Sequence, residues 1–364
     1  GDKADLSATW YRAQTSDVIL ITPTPPSSGY SSEAKNAGVF RNSGTELSLN
    51  LRPLTRPAYS WDVGIGWARN QSLAVSIAGA EFLPIDNFSG HTENVAMVGR
   101  QLGVMRGLGW VRCGITNYAD YPALNLAQVC AGAPKGALYI DDGTHCVTKE
   151  PDMPCADTRD RIIGDPNPKW TGNLHSTFRY RKLELSGLVD IKKGGDVING
   201  TRGALLSYGT DIETANRATC TTTHNADCTG NLHAFGEANF YPGPVVGPGA
   251  GKQIPIGQNW YQASGLAACP FTNMDEPCVE DGGYVKLREL SVAYTFDGAW
   301  VGRYLGLSTL DVRVAGRNLK TWTKYRGLDP ETNLGGATAR SFGGQDYFNL
   351  PLTRSFVFTV GLNR

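Results

Sequence analysis

The last stretch of the chain, Leu350–Asn363, sets Phe356, Phe358, Val360 and Leu362 in alternation with Ser355, Thr359 and Gly361. A period of two predicts a β-strand with one apolar face, and the pattern recurs upstream. Leu6, Ala8 and Trp10 oppose Ser7, Thr9 and Tyr11; Leu47, Leu49 and Leu51 oppose Glu46, Ser48, Asn50 and Arg52; Trp61, Val63, Ile65 and Trp67 oppose Asp62, Gly64 and Gly66. Leu174, Phe178 and Tyr180 face away from Asn173, His175, Thr177 and Arg179. Leu183, Leu185, Val189 and Ile191 face away from Glu184, Ser186, Asp190 and Lys192. Leu290, Val292, Tyr294 and Phe296, then Leu310, Val312 and Val314, complete the series, so about eight strands are predicted. Strands of this kind build either a soluble antiparallel sheet or a barrel wall that turns its apolar face to lipid.

The connections between these strands alternate in length. Short ones (53–59, 181–182 and 297–308) take turns with long ones (14–43, 71–168, 194–282 and 320–350). Transmembrane barrels have short turns at the periplasmic end and long extracellular loops at the other, an asymmetry that a sandwich does not need. Aromatic residues near strand ends, among them Trp10, Tyr59, Trp67, Tyr180, Phe296 and Trp300, fit the girdles of such a barrel. The expected fold is therefore all-β, an antiparallel transmembrane β-barrel with long extracellular loops, read as one architectural unit over 1–364.

Composition supports this. The chain has 44 glycines, 10% aromatic and 19% charged residues, and a formal net charge of zero. No apolar run approaches the roughly twenty residues of a membrane helix, and the balanced charge argues against nucleic-acid binding. The 8 cysteines fall into close sequential pairs, Cys113 with Cys130, Cys146 with Cys155, Cys220 with Cys228, and Cys269 with Cys278, all in irregular stretches. Local disulfides bracing loops with little core of their own suit an oxidising compartment, although about 105 pairings are formally open. A zinc site is disfavoured because Cys-x-x-Cys is absent and only His145, His224 and His233 lie near a cysteine. No cofactor is called for. The histidines are scattered and no serine or cysteine stands in a nucleophile-elbow context, so the chain does not read as an enzyme. Asp141-Asp142-Gly143 lacks a regular series of alternating carboxylates and reads as a solvated turn.

Specific motifs add a family. Arg161-Ile-Ile-Gly-Asp-Pro-Asn-Pro-Lys-Trp170, Lys192-Lys-Gly-Gly-Asp-Val-Ile-Asn-Gly-Thr-Arg202, Tyr284-Val-Lys-Leu-Arg-Glu-Leu-Ser-Val-Ala-Tyr-Thr-Phe296, Gly316-Arg-Asn-Leu-Lys-Thr-Trp-Thr-Lys-Tyr-Arg-Gly-Leu-Asp-Pro-Glu331 and Leu350-Pro-Leu-Thr-Arg-Ser-Phe356 occur in this order. Together with Leu6–Ile19 and Asn42–Leu49 they resemble the C-terminal barrel region of SusC/RagA-type TonB-dependent outer-membrane transporters. The motif loop carries Tyr325, Gly327, Asp329, Pro330 and Glu331.

That resemblance implies nutrient import across the bacterial outer membrane, of oligosaccharide or peptide. The strands here align with about the last eight of a barrel of roughly 22 closed around a plug. Plug, TonB-box and signal peptide are expected in a longer polypeptide. The implied partners are outer-membrane lipid, the TonB complex acting through the plug and a SusD-like lipoprotein lid, with a homodimer left open. Loop aromatics Trp110, Tyr118, Tyr121, Trp260 and Tyr261 are candidates for stacking on sugar rings or peptide side chains. The alternative is a structural or interaction protein of the cell surface, a small barrel or open sheet that presents braced loops.

Overall fold

The computed structural model describes residues 3–24, 26–77, 80–89, 92–146, 151–215, 243–250, 274–334 and 343–364. Its frame is one 8-stranded antiparallel sheet in which neighbours in space are neighbours in sequence. The strands are β1 (Ala4–Pro23), β2 (Ser32–Arg56), β3 (Tyr59–Ile77), β4 (Trp170–Tyr180), β5 (Leu183–Lys193), β6 (Tyr284–Phe296), β7 (Thr309–Thr323) and β8 (Ser355–Asn363). No described helix is long and apolar enough to cross a membrane.

The register turns the alternating pattern into two surfaces. Leu6, Leu49, Ile65, Leu174, Val189 and Leu287 lie in one row across six strands, and Leu54, Trp61, Phe178, Leu185, Val292, Val314 and Phe358 lie in another. Much of this face is exposed among the described residues: Leu6 is 69% exposed, Phe358 75% and Leu362, further along β8, 65%. An apolar face this continuous is unstable in water and suits hydrocarbon, while backbone hydrogen bonding within the sheet satisfies the polar groups that lipid cannot. Toward the short turns the face ends in Tyr59, Tyr180, Tyr294 and Phe296, and at the other end in Trp67, Trp170 and Trp322.

Several connections differ from expectation. The segment 14–43 is mostly ladder: β1 runs to Pro23 and β2 starts at Ser32, leaving a tip at 24–31. A bulge between Thr15 and Val18, with Asp17 at φ 57°, and a shift at Val39–Phe40 break the alternation without ending the pairing. Likewise β3 continues to Ile77 and β7 to Thr323, inside the expected loops 71–168 and 320–350. Nor do the long connections lack a core. One forms a 4-stranded sheet (Phe82–Ser89, Thr92–Met97, Val104–Trp110 and Ala156–Gly164), and strands from different connections join in two 3-stranded sheets. Val111, Leu124, Leu126, Tyr139, Cys146 and Cys155 pack together as a buried cluster in the first of these connections.

Candidate functional site

The polar surface of the sheet changes character from strand to strand. Between β1 and β4 it is an open groove of hydroxyl and amide groups from Ser7, Thr9, Ser48, Asn50 and Asn173, with His175 and the carboxylate of Glu46. Gly64 and Gly66 make room for it, because a Cβ on Gly64 would come within 2.4 Å of His175 Nδ1 and one on Gly66 within 2.6 Å of Asn173 Nδ2. From β4 to β7 the wall is ionic. Arg179 donates to Glu184 at 2.8 Å and to Asp62 at 3.4 Å; Arg313 reaches Glu184 at 2.7 Å; Arg317 pairs with Glu289 at 3.0 Å. Exposed pairs like these contribute about 0–1 kcal/mol each, so they order the wall more than they stabilise it.

Where β6 meets the long-loop end, the connection after β7 folds back onto this surface. Lys286 donates to Asp329 at 2.6 Å and to Glu331 at 2.5 Å, Arg288 joins Glu331 to Asp190, and the Tyr284 hydroxyl donates to Glu331 at 2.6 Å. Lys286 and Asp329 are buried. A bulge around Leu287–Glu289 allows the consecutive Arg288 and Glu289 both to meet partners on the polar surface, which simple alternation forbids. Asp329 also accepts the Glu331 N–H at 3.0 Å, a tight turn around the buried Pro330. Burial by itself would raise the pKa of Glu331, but hydrogen bonds from Arg288, Lys286 and Tyr284 outweigh it and hold the carboxyl down at about 2. Tyr325 is buried, which raises its pKa, and its hydrogen bond to Asp346 raises it further. Gly327 sits against its ring: a Cβ there would meet Tyr325 at 2.4 Å. Asp329 and Glu331 of the motif thus form one ionic knot with Lys286 and Arg288, while Tyr325 and Gly327 anchor the loop beside it through Asp346.

Further carboxylates tie the other connections together. Glu276 accepts Arg112 Nε at 2.6 Å, the Trp110 N–H at 2.9 Å and a bond from Arg161. Asp275 accepts the Leu108 N–H at 2.9 Å and the Thr92 hydroxyl. Gln345 donates to Asn94 at 2.5 Å, and Glu280 lies between Arg202 and Arg326 at 3.6 and 3.2 Å. None of these partnerships follows a spacing rule, since most join residues from separate connections and Glu280 and Arg202 are 78 positions apart in one, so sequence patterns could not reveal them.

Three of the expected stacking residues are described, and each is engaged by neighbours. Trp110 is 4% exposed with the Arg112 guanidinium 5.5 Å from its ring, so its face is covered. The Tyr118 hydroxyl accepts the Gly114 N–H at 2.8 Å. Tyr121 donates to Asp157 at 2.7 Å and accepts the Thr158 N–H at 2.8 Å; burial first, and then Asp157, raise its pKa. Trp260 and Tyr261 lie outside the described residues. Disulfides join Cys113 to Cys130 and Cys146 to Cys155, and Cys278 is also disulfide-bonded; Cys220, Cys228 and Cys269 lie outside the described residues. Donor atoms of Asp141, Asp142 and His145 come within 4.8 Å of one another. The buried Asp141 already accepts the N–H groups of His145 and Cys146, which makes it a turn-forming residue.

An apolar outer face, a polar inner face and interlocked connections at one end describe a segment of barrel wall and its mouth. No family model matches the chain. It is, however, 28% identical over 371 residues to TonB-dependent receptor P3 of Formosa agariphila, a match covering 100% of this chain. The chain resembles a TonB-dependent receptor from end to end. A second such receptor of that organism, P26, is 24% identical over 363 residues and 97% of the chain. Among solved structures, the RagAB peptide importer in its open-open state superimposes with a TM-score of 0.63 at 15% identity over 100% of the chain, and its closed-closed state gives the same score at 16% identity. The shared fold is thus the barrel wall. The chain spans 32% of the length of both TonB-dependent receptors and 33% of the RagAB chain.

Proposed function

We propose that this chain is part of a TonB-dependent importer of the bacterial outer membrane. In this reading the sheet supplies barrel wall, with the apolar rows in lipid and the polar surface toward the lumen, and the interlocked connections form the extracellular mouth. The observation that carries it is the pairing of a continuous exposed apolar face with a hydrogen-bonding opposite face, in a chain collinear with receptors of that name. The cargo class is a nutrient with many hydrogen-bonding groups, an oligosaccharide or a peptide. Both suit a wall of serine, threonine, asparagine and histidine beside an ionic strip. A plug outside this chain transmits the pull of the TonB complex, and a SusD-like lipoprotein closes the mouth. The likeness in fold to the RagAB peptide importer supports the peptide branch. Loop aromatics Tyr118, Tyr121, Trp260 and Tyr261 are the stacking candidates, Trp110 being buried.

The test is uptake of fluorescent peptide and oligosaccharide pools by cells with and without the full-length protein, each with and without a protonophore. Energy-dependent uptake of one pool that requires the protein supports the proposal. Equal uptake with and without the protein refutes it.

A further inference from the structure

The lipid-facing surface carries a second pattern near the long-loop end. Following the register, the outward positions of the eight strands bear no Asp or Glu from Ala4 through Gln14 and across their partners to Leu362, yet they bear Arg12, Arg41, Arg69, Lys193 and Lys320 at that end. Arg69 and Lys193 lie in the row that holds Trp10 and Trp170, and Arg12 and Arg41 lie above it, whereas Lys320 sits lower, in the row of Leu6 and Leu174. No carboxylate pairs with these cations among the described residues.

Two of them share a groove. Trp10, Arg12, Arg41, Ser43, Gln71 and Leu73 line it, all from the outward positions of β1, β2 and β3, and Gln101 closes its upper end. Arg41 holds one hydrogen bond, to Gln14 at 3.3 Å, while its Nε is buried without a partner among the described residues. Two guanidinium groups in one outward groove, with no carboxylate beside them among the described residues, suit a negatively charged acceptor that approaches from outside the sheet. Below the groove is the apolar belt; within it are arginines, a hydroxyl and an amide.

We propose that this groove holds the phosphate of an anionic lipid in the outer leaflet, with the acyl chains lying along the belt beneath Trp10. Arginine guanidinium groups bind phosphate oxygens by charge-assisted, often bidentate hydrogen bonds, and cations near a bilayer surface each strengthen attachment to anionic lipid. The chemistry recognised is a phosphate monoester or diester. The continuous apolar surface selects a lipid over a soluble anion. This assignment rests on the reading of the sheet as barrel wall.

The full-length receptor, purified in mild detergent and placed in nanodiscs of phosphatidylcholine with one-tenth phosphatidic acid, is released into native mass spectrometry and its retained lipids identified. Wild-type protein is expected to retain phosphatidic acid over phosphatidylcholine by at least about tenfold beyond its share, and R12Q/R41Q to lose most of that preference. R12K/R41K should keep part of it, and Arg56→Gln, outward but at the short-turn end, should leave it unchanged. Equal retention in wild type and R12Q/R41Q overturns the proposal, as does displacement of the lipid by millimolar inorganic phosphate, which would mark a site for soluble anions. Failure of the wild-type protein to enter nanodiscs of phosphatidylcholine alone would instead refute the barrel reading, so the two failures are distinct.

Discussion

Glu331→Gln gives the most direct test of the ionic knot. Glu331 accepts from Arg288 at both oxygens, from Lys286 at 2.5 Å and from Tyr284 at 2.6 Å, and its side chain is 23% exposed. Its pKa falls from 4.5 to about 2 in the folded protein. A depressed carboxylate stabilises the docked connection above its unfolded pKa, and the contribution disappears as pH falls through the interval from about 4.5 to 2. The shift is worth ~3 kcal/mol at neutral pH as an order of magnitude. Glutamine keeps the shape but removes the charge, leaving Lys286 with Asp329 and Arg288 with Asp190. Because those pairs remain, the expected loss is about 2–3 kcal/mol, local to the connection around 324–334. Hydrogen exchange by mass spectrometry, corrected for intrinsic rates, reads this directly. At pH 7 the E331Q peptide should exchange about 30-fold faster or more. Between pH 6 and 3 wild-type protection should fall toward that of the variant, whose own protection should stay nearly flat. Equal protection at pH 7, or the same acid limb in both proteins, would refute the role given to Glu331.

Leu290→Arg, outward in the apolar belt, should cost about 2–4 kcal/mol of insertion stability, measured by urea titration of folding into vesicles, whereas Thr9→Arg on the polar surface should cost less than about 1 kcal/mol. Replacing Cys146 and Cys155 together with serine opens a loop with a separation of 9 residues and should destabilise that connection by about 2–3 kcal/mol, seen as faster proteolysis between Leu138 and Gly164 without loss of the barrel band on unheated gels. Gly64→Val would place its Cβ 2.4 Å from His175 Nδ1, so the imidazole must swing into the groove. Uptake should fall severalfold while heat-modifiable mobility is kept; unchanged uptake would remove the groove from the cargo path.

The strands and their faces were legible in the chain because lipid and lumen impose opposite demands on successive side chains. Leu174 and His175 must therefore alternate whatever the rest of the molecule does. The same logic failed where the ladder carries bulges: at Asp17 and near Phe40 pairing continues although the alternation does not, so β1 and β2 are longer than their pattern indicates. Local disulfides were legible from close spacing, as Cys113–Cys130 and Cys146–Cys155 demonstrate. The motif Gly-Leu-Asp-Pro-Glu was visible as a string, but its role was not. Only the tertiary structure brings Asp329 and Glu331 against Lys286 and Arg288, more than forty positions away, and buries Trp110 beneath Arg112. Periodicity is set by each strand's own environment and is written locally. Ion pairs between connections, and the outward groove of Arg12 and Arg41, depend on which segments meet across the sheet, and that is fixed by register and folding-back rather than by any stretch read alone.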